Sequence, residues 1–185
     1  MAIVTGALTA DFIHWSGDGL VAPGIFNEIA QSTALADVID GGAGDDLTDG
    51  DDGDDQIIGG QGKDQLTGGG KQDVLTGGGD RDLFILSQGK DSGPYAHTRD
   101  IITDFNQEEG DRIDLSRMDG DTTVDGDGVF YLAGSAFTNR PGELIQFSDG
   151  DGNTILAGDS SGDGFPEFEF LLQGGPVLTS ADFIF

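Results

Sequence analysis

The sequence predicts an all-β chain, and three observations lead there. A nine-residue repeat runs unbroken from residue 41 to residue 85. Short runs of apolar and polar residues in alternation, separated by Gly, Asp and Asn clusters, fill residues 92–185. Helical periodicity is absent from those runs, so they read as several short strands of a sandwich or rolled sheet.

Composition divides the chain into three segments. Residues 1–36 carry little charge beyond Asp11, Asp18 and Glu28. Within them Ala2–Val4 and Phe12–Trp15 read as short strands. Pro23-Gly24 ahead of Ile25 to Ala30 reads as the start of a brief helix, because proline is tolerated in a first turn. This segment is expected to be an N-terminal cap. Residues 37–91 are a low-complexity stretch holding fourteen aspartates and punctuated by Gly-Gly pairs. Residues 92–185 hold the strand candidates: Ile101-Ile102 with Phe105, Ile113 to Leu115, Val129 to Leu132, Leu144 to Phe147, Thr154 to Leu156, and Phe168 to Leu172.

Cut at nine residues, the middle segment reads GGAGDDLTD, GDDGDDQII, GGQGKDQLT, GGGKQDVLT and GGGDRDLFI. Its first position is always glycine: Gly41, Gly50, Gly59, Gly68 and Gly77. Its fourth is glycine at Gly44, Gly53 and Gly62. The sixth is always aspartate: Asp46, Asp55, Asp64, Asp73 and Asp82. The eighth is Thr48, Ile57, Leu66, Leu75 and Phe84. A flexible Gly/Asp linker is the alternative, but a linker keeps no fixed phase with an apolar eighth position.

The physical reading follows from that phase. Six residues form a turn whose glycines permit positive φ and let carbonyl oxygens point at one centre. Three residues then form a short strand with the eighth position facing inward. Two nonapeptides complete one coil, so turns eighteen residues apart stack. Stacking pairs Asp46 with Asp64, Asp55 with Asp73, and Asp64 with Asp82. Such pairs, joined by turn carbonyls, make an all-oxygen cage of the kind that suits Ca²⁺ better than Mg²⁺ or zinc. Degenerate flanking copies add Asp37 with Ile39, and Gly89 with Asp91, giving the further pairs Asp37–Asp55 and Asp73–Asp91. Three well-formed calcium sites and up to two poorer ones are expected. The fourth-position glycine is replaced by Lys71 and Asp80, and the second by Asp51, which should strain those turns. Lys71 should also bring positive charge toward the metal and weaken the last sites.

Charge and composition exclude several functions. The 185 residues include 35 acidic and 8 basic ones, for a net charge of −27. Nucleic acid and anionic membrane are therefore not expected partners. The absence of cysteine excludes disulfides, thiolate metal sites and a cysteine nucleophile. No apolar run approaches the roughly 20 residues of a membrane helix. No Lys or Arg precedes Lys63, so the basic start of a secretory leader is missing and export is expected by another route.

The repeat matches the Gly-Gly-x-Gly-x-Asp-x-apolar-x nonapeptide and so resembles the RTX, or hemolysin-type, calcium-binding repeat. DLFI (82–85), RDIITDFNQEEGDRIDLS (99–116), GELIQF (142–147), GNTILAGDSSGDGFPEFEF (152–170) and LTSADFIF (178–185) further resemble the C-terminal domain of serralysin-type secreted metallopeptidases. The likeness covers roughly residues 35–185. It implies a calcium-binding, right-handed parallel β-roll continued by an antiparallel β-sandwich-like C-terminal part. It also implies secretion to the extracellular space by a type I apparatus, with the tail at Asp182 to Phe185 as signal. A plain closing strand is the other reading of that tail, and the two are compatible. The family's zinc motif His-Glu-x-x-His-x-x-Gly-x-x-His is missing, since His14 and His97 are the only histidines.

The expected function is a non-catalytic calcium-binding module whose folding is switched on by extracellular Ca²⁺. The alternative is a module that binds polysaccharide or a partner protein, as the similar R-modules of mannuronan epimerases suggest. An enzyme using residues 1–34 or the sandwich is a third reading. Asp159, Ser161, Asp163 and Glu167 alternate like the first half of an EF-hand loop and offer either one more calcium site or an Asp/Gly turn. Asp119, Asp121, Asp125 and Asp127 read as a solvated loop, and His14 with Trp15 as strand packing.

Overall fold

The computed structural model describes residues 3–5, 11–13, 27–28, 35–87 and 91–185. Each nonapeptide forms one turn and one strand, and successive strands fall alternately into two facing sheets. The strands β4 (Val38–Ala43), β6 (Gln56–Gln61) and β8 (Val74–Gly79) run parallel in the first. In the second, β5 (Leu47–Asp49), β7 (Gln65–Thr67) and β9 (Leu83–Ile85) do the same. The register steps by one coil: Ile39 faces Ile57 and Ile57 faces Leu75, while Thr48 faces Leu66 and Leu66 faces Phe84.

These eighth-position side chains are all buried, and together they are the core between the sheets. Burying each Ile, Leu or Phe contributes about 1.5–3 kcal/mol. Thr48, the polar exception, donates its hydroxyl to the Gln65 carbonyl at 3.3 Å, so the stack continues without an unsatisfied group.

The roll begins before the repeat. β1 (Ile3–Thr5) lies parallel to β4, and β2 (Asp11–Ile13) lies parallel to β5. Where a brief helix is expected from Pro23 onward, Asn27–Glu28 instead forms β3, parallel to β2. The free edge of β2 offers main-chain partners that outweigh a weak local helix preference. His14, Trp15, the rest of that helix expectation and Gly89 lie outside the described residues.

Beyond the repeat, β10 (Asp100–Ile102) extends the first sheet beside β8, and β11 (Arg112–Asp114) extends the second beside β9. Ile102 and Ile113 carry on the two inward stacks. The first sheet then grows through β15 (Phe168–Leu172), β14 (Thr154–Asp159), β13 (Glu143–Ser148) and β12 (Tyr131–Leu132). Among the described residues only the pairs β13–β14 and β14–β15 are antiparallel, whereas β10–β15 and β12–β13 are parallel. The C-terminal part is thus a mixed continuation of both roll sheets, because its first strands inherit the direction of the coils they stack on. Phe130, Leu144, Leu156, Phe168 and Phe170 fill its interior.

The tail closes the second sheet. A single 3₁₀ turn, Ser180–Asp182, is capped by Thr179, whose hydroxyl accepts from the Ala181 N–H while Asp182 accepts from the Thr179 N–H. β16 (Phe183–Ile184) then pairs in parallel with β11 and buries Phe183.

Candidate metal centre

The sixth-position aspartates stand where each turn enters its strand, and all of them face the interior of the roll. Each donates its main-chain N–H to the carboxylate one coil further on. On the side of β4 the series runs Asp37 N to Asp55 Oδ1 at 2.7 Å, Asp55 N to Asp73 Oδ1 at 2.8 Å, and Asp73 N to Asp100 Oδ1 at 3.0 Å. On the side of β5 it runs Asp46 N to Asp64 Oδ1 at 2.8 Å, Asp64 N to Asp82 Oδ1 at 3.0 Å, and Asp82 N to Asp111 Oδ1 at 2.9 Å. Two ladders of four aspartates result, one on each side of the roll.

Those bonds use Oδ1. The Oδ2 atoms of Asp55, Asp64, Asp73 and Asp82 are buried and have no hydrogen-bond partner. An unsatisfied buried carboxylate oxygen is costly, so it points to a missing countercharge. The space beside them is kept clear by the first-position glycines. A Cβ on Gly59 would stand 2.5 Å from Asp64 Oδ2 and 2.6 Å from the Gly77 carbonyl oxygen. One on Gly41 would stand 2.6 Å from both Asp46 Oδ2 and the Gly59 carbonyl oxygen. Gly50, Gly68 and Gly77 stand in the same relation to Asp55, Asp73 and Asp82. Carboxylate and carbonyl oxygens therefore converge on a cradle that any side chain would fill.

Burial dominates the acidity of these groups. It pushes Asp64 up to about 6, Asp55 and Asp82 up to about 7, and Asp73 up to about 8, against the main-chain hydrogen bonds that lower each. Neighbouring carboxylates raise them further. Asp100 is driven well above the ordinary aspartate range, chiefly by burial and then by Asp73. An all-oxygen set carrying this much crowded negative charge is the chemistry of a hard divalent cation.

A family model described as "Peptidase M10 serralysin C terminal" matches residues 28–185. The chain belongs to that family. As a serralysin C-terminal domain it is a β-roll of the RTX type, for which the family implies calcium, and its oxygen-lined cradles fit that ion. Two solved structures are similar to it, both subunits of the mannuronan C5-epimerase of Azotobacter vinelandii. The solution structure of the AlgE6R3 subunit is 23% identical with a TM-score of 0.45, covering 97% of this chain and 80% of that one. The AlgE6R2 subunit is also 23% identical at a TM-score of 0.45, covering 98% and 91%. No curated protein matches the chain.

Within this serralysin C-terminal domain the structure departs from the sequence expectation at two places. The partner stacked on Asp73 is Asp100, not Asp91, because the loop between them lets β10 and not residues 92–94 add to β8. Asp91 instead accepts from the Ser87 N–H and hydroxyl at 2.8 Å, close enough to raise both Asp73 and Asp100. Asp100 and Asp111 lie outside the nine-residue pattern because no glycine stands at the first, second or fourth position ahead of them. Their signal is the Asp-x-apolar triplet, Asp100 with Ile102 and Asp111 with Ile113, which is the sixth and eighth positions of a nonapeptide stripped of its turn.

The second departure concerns Lys71. It adopts φ 84°, as Asp51 and Asp80 adopt 71° and 74°, so all three hold the left-handed conformation that glycine takes elsewhere. Its ammonium turns outward to Asp52 at 3.3 Å and does not enter the cradle, and from there its charge lowers Asp55. The 159–167 loop is compatible with both of its expected readings. Oxygens of Asp159, Asp163 and Glu167 lie within 4.8 Å of one another. Asp159, however, already accepts from the Gly162 and Gly164 N–H groups, and Glu167 from the Ser160 N–H. Those bonds hold a turn between β14 and β15, and the three clustered carboxylates keep the spacing of a cation site.

Proposed function

We propose that this domain is a non-catalytic module whose roll is assembled by calcium. The observation that carries the reading is the row of buried Oδ2 atoms on Asp55, Asp64, Asp73 and Asp82, aimed at glycine-walled cradles. The pairs Asp46–Asp64, Asp55–Asp73 and Asp64–Asp82 would hold the ion together with first-position carbonyls such as those of Gly59, Gly68 and Gly77. Asp37 and, beyond the repeat, Asp100 and Asp111 would extend the ladders, with Asp91 lending charge beside Asp73.

Without the cation, carboxylates buried this closely oppose folding, so the roll stays open where free calcium is low. Extracellular calcium modules bind near 10⁻⁴–10⁻³ M. At ten times the dissociation constant a site contributes about 1.4 kcal/mol, and four sites nearly 6. A domain of this size is stable by about 5–15 kcal/mol, so the ion decides whether it folds. An unfolded, strongly acidic chain suits export through a type I apparatus followed by folding outside, and we place the mature domain there.

Circular dichroism and calorimetry with Ca²⁺, Mg²⁺ and EDTA test this. β-Structure should appear cooperatively with calcium alone. A chain equally ordered in excess EDTA overturns the switch.

A further inference from the structure

At the far edge of the first sheet, β12 and β13 separate. They pair at Tyr131 with Glu143 and at Leu132 with Leu144, and the last bond between them runs from Ala133 N to the Leu144 carbonyl. Beyond it the main chain at Gly134-Ser135 parts from β13. The next main-chain groups that β13 turns to that side belong to Gln146 and Ser148, and among the described residues neither has a main-chain partner there. A groove of about 590 Å³ opens there, lined by Gly134, Ser135, Gln146, Phe147 and Ser148, and it continues past the turn after β13 to Asn153, Gly174 and Val177. Phe147 is 41% exposed and Val177 75%. Among the described residues no charged side chain lines it, in a chain whose net charge is −27.

Uncovered edge strands are normally blunted by charge, proline or a bulge, and this one carries none of them along Ile145 to Ser148. We propose that β13 is a docking edge for an extended peptide bearing basic residues, which adds as a strand to Gln146 and Ser148 and rests its apolar side chains on Phe147 and Val177. Strand addition draws affinity from main-chain bonds and selectivity from alternate side chains. The basic character follows from the turn after β13, where Asp149 and Asp151 flank the groove. Asn153 holds Asp149 in place through its side chain at 2.7 Å and its N–H at 3.0 Å, keeping the carboxyl below the usual range. A second copy of this chain is a poor occupant, since two such acidic molecules repel.

The probe is a blocked hexapeptide of alternating valine and threonine between terminal lysines, titrated into isotope-labelled, calcium-loaded protein. The Gln146 and Ser148 amide resonances should shift and saturate. Methylating alternate peptide nitrogens, or replacing the lysines by glutamates, should weaken binding at least tenfold. Ser148→Pro, which deletes an edge N–H, should do the same, while Ser148→Ala stays within twofold. Ser148→Pro is scored only if its calcium-loaded dichroism matches the parent, and the methylated peptide tests the same bonds on unaltered protein. Absence of shifts at millimolar peptide, equal binding of the methylated peptide, or shifts produced instead by maltohexaose would each overturn the proposal.

Discussion

Asp64 occupies the middle of a ladder, and replacing it by alanine should damage two cation sites at once. Its Oδ1 accepts from the Asp46 N–H, its own N–H donates to Asp82 Oδ1, and its Oδ2 is one of the buried oxygens without a partner. Asp37, by contrast, has a stacked carboxylate on one side only among the described residues, because β1, which pairs with β4 from Val38 onward, carries no acidic residue. At ten times the dissociation constant, losing two sites costs about 2.8 kcal/mol and losing one about 1.4. The cost in melting temperature is on the order of 6–10 °C against about half that. Calorimetric stoichiometry is the direct assay: Asp64→Ala should bind two fewer calcium ions than the parent, and Asp37→Ala one fewer. If alanine prevents folding, Asp64→Asn keeps the acceptor for the Asp46 N–H while removing the charge. Equal losses from Asp64 and Asp37 would refute the shared-carboxylate geometry.

Further expectations follow from the same cradle. Gly59→Ala should abolish calcium uptake at the coil of Asp64, read as a lost ion in titration, since its Cβ meets both the carboxylate and the Gly77 carbonyl. Asp111→Ala should remove an ion although it lies outside the repeat, because it stacks on Asp82; an unchanged stoichiometry would exclude Asp111 from the ladder. In EDTA, acid should favour the folded state. Folded carboxyls at about 6 to 8 bind protons more tightly than unfolded ones near 4, so their contribution is full below pH ~4 and is lost as pH rises through 6–8. With calcium the slope should reverse, because protons compete for the ligands; melting series across pH 4–8 with and without the ion distinguish the two. Lys71→Gly should raise stability by about 1 kcal/mol by relieving a left-handed backbone, outweighing an exposed pair with Asp52; a lower melting point would contradict this.

The sequence carried the roll because its period is exact at two positions. Glycine at the first and aspartate at the sixth fix where the turn lies, and the eighth position fixes which side faces in. Asp37 carries the same signature through Ile39, whereas at Asp91 the eighth position is Gly93, which offers no inward side chain. Asp100 and Asp111 were hidden because long loops replace their turns, so the spacing grows from 18 to 27 and 29 residues. Loop length is set by tertiary closure and leaves no mark on local periodicity. Strand direction was equally hard to read: alternation marks Phe168 to Leu172 as a strand but cannot say that its neighbours are β10 on one edge, parallel, and β14 on the other, antiparallel. Lys71 misled because a charge count ignores which way a side chain leaves its turn.

Because every inner carboxylate belongs to two coils, neighbouring cavities are not independent vessels. Filling one orients half of the lining of the next, so occupancy should spread from coil to coil like a zipper, with a steep response to concentration. Position along the array then matters more than chemistry: a flaw at either end merely shortens the filled run, whereas the same flaw in the middle splits it into two pieces that no longer help each other.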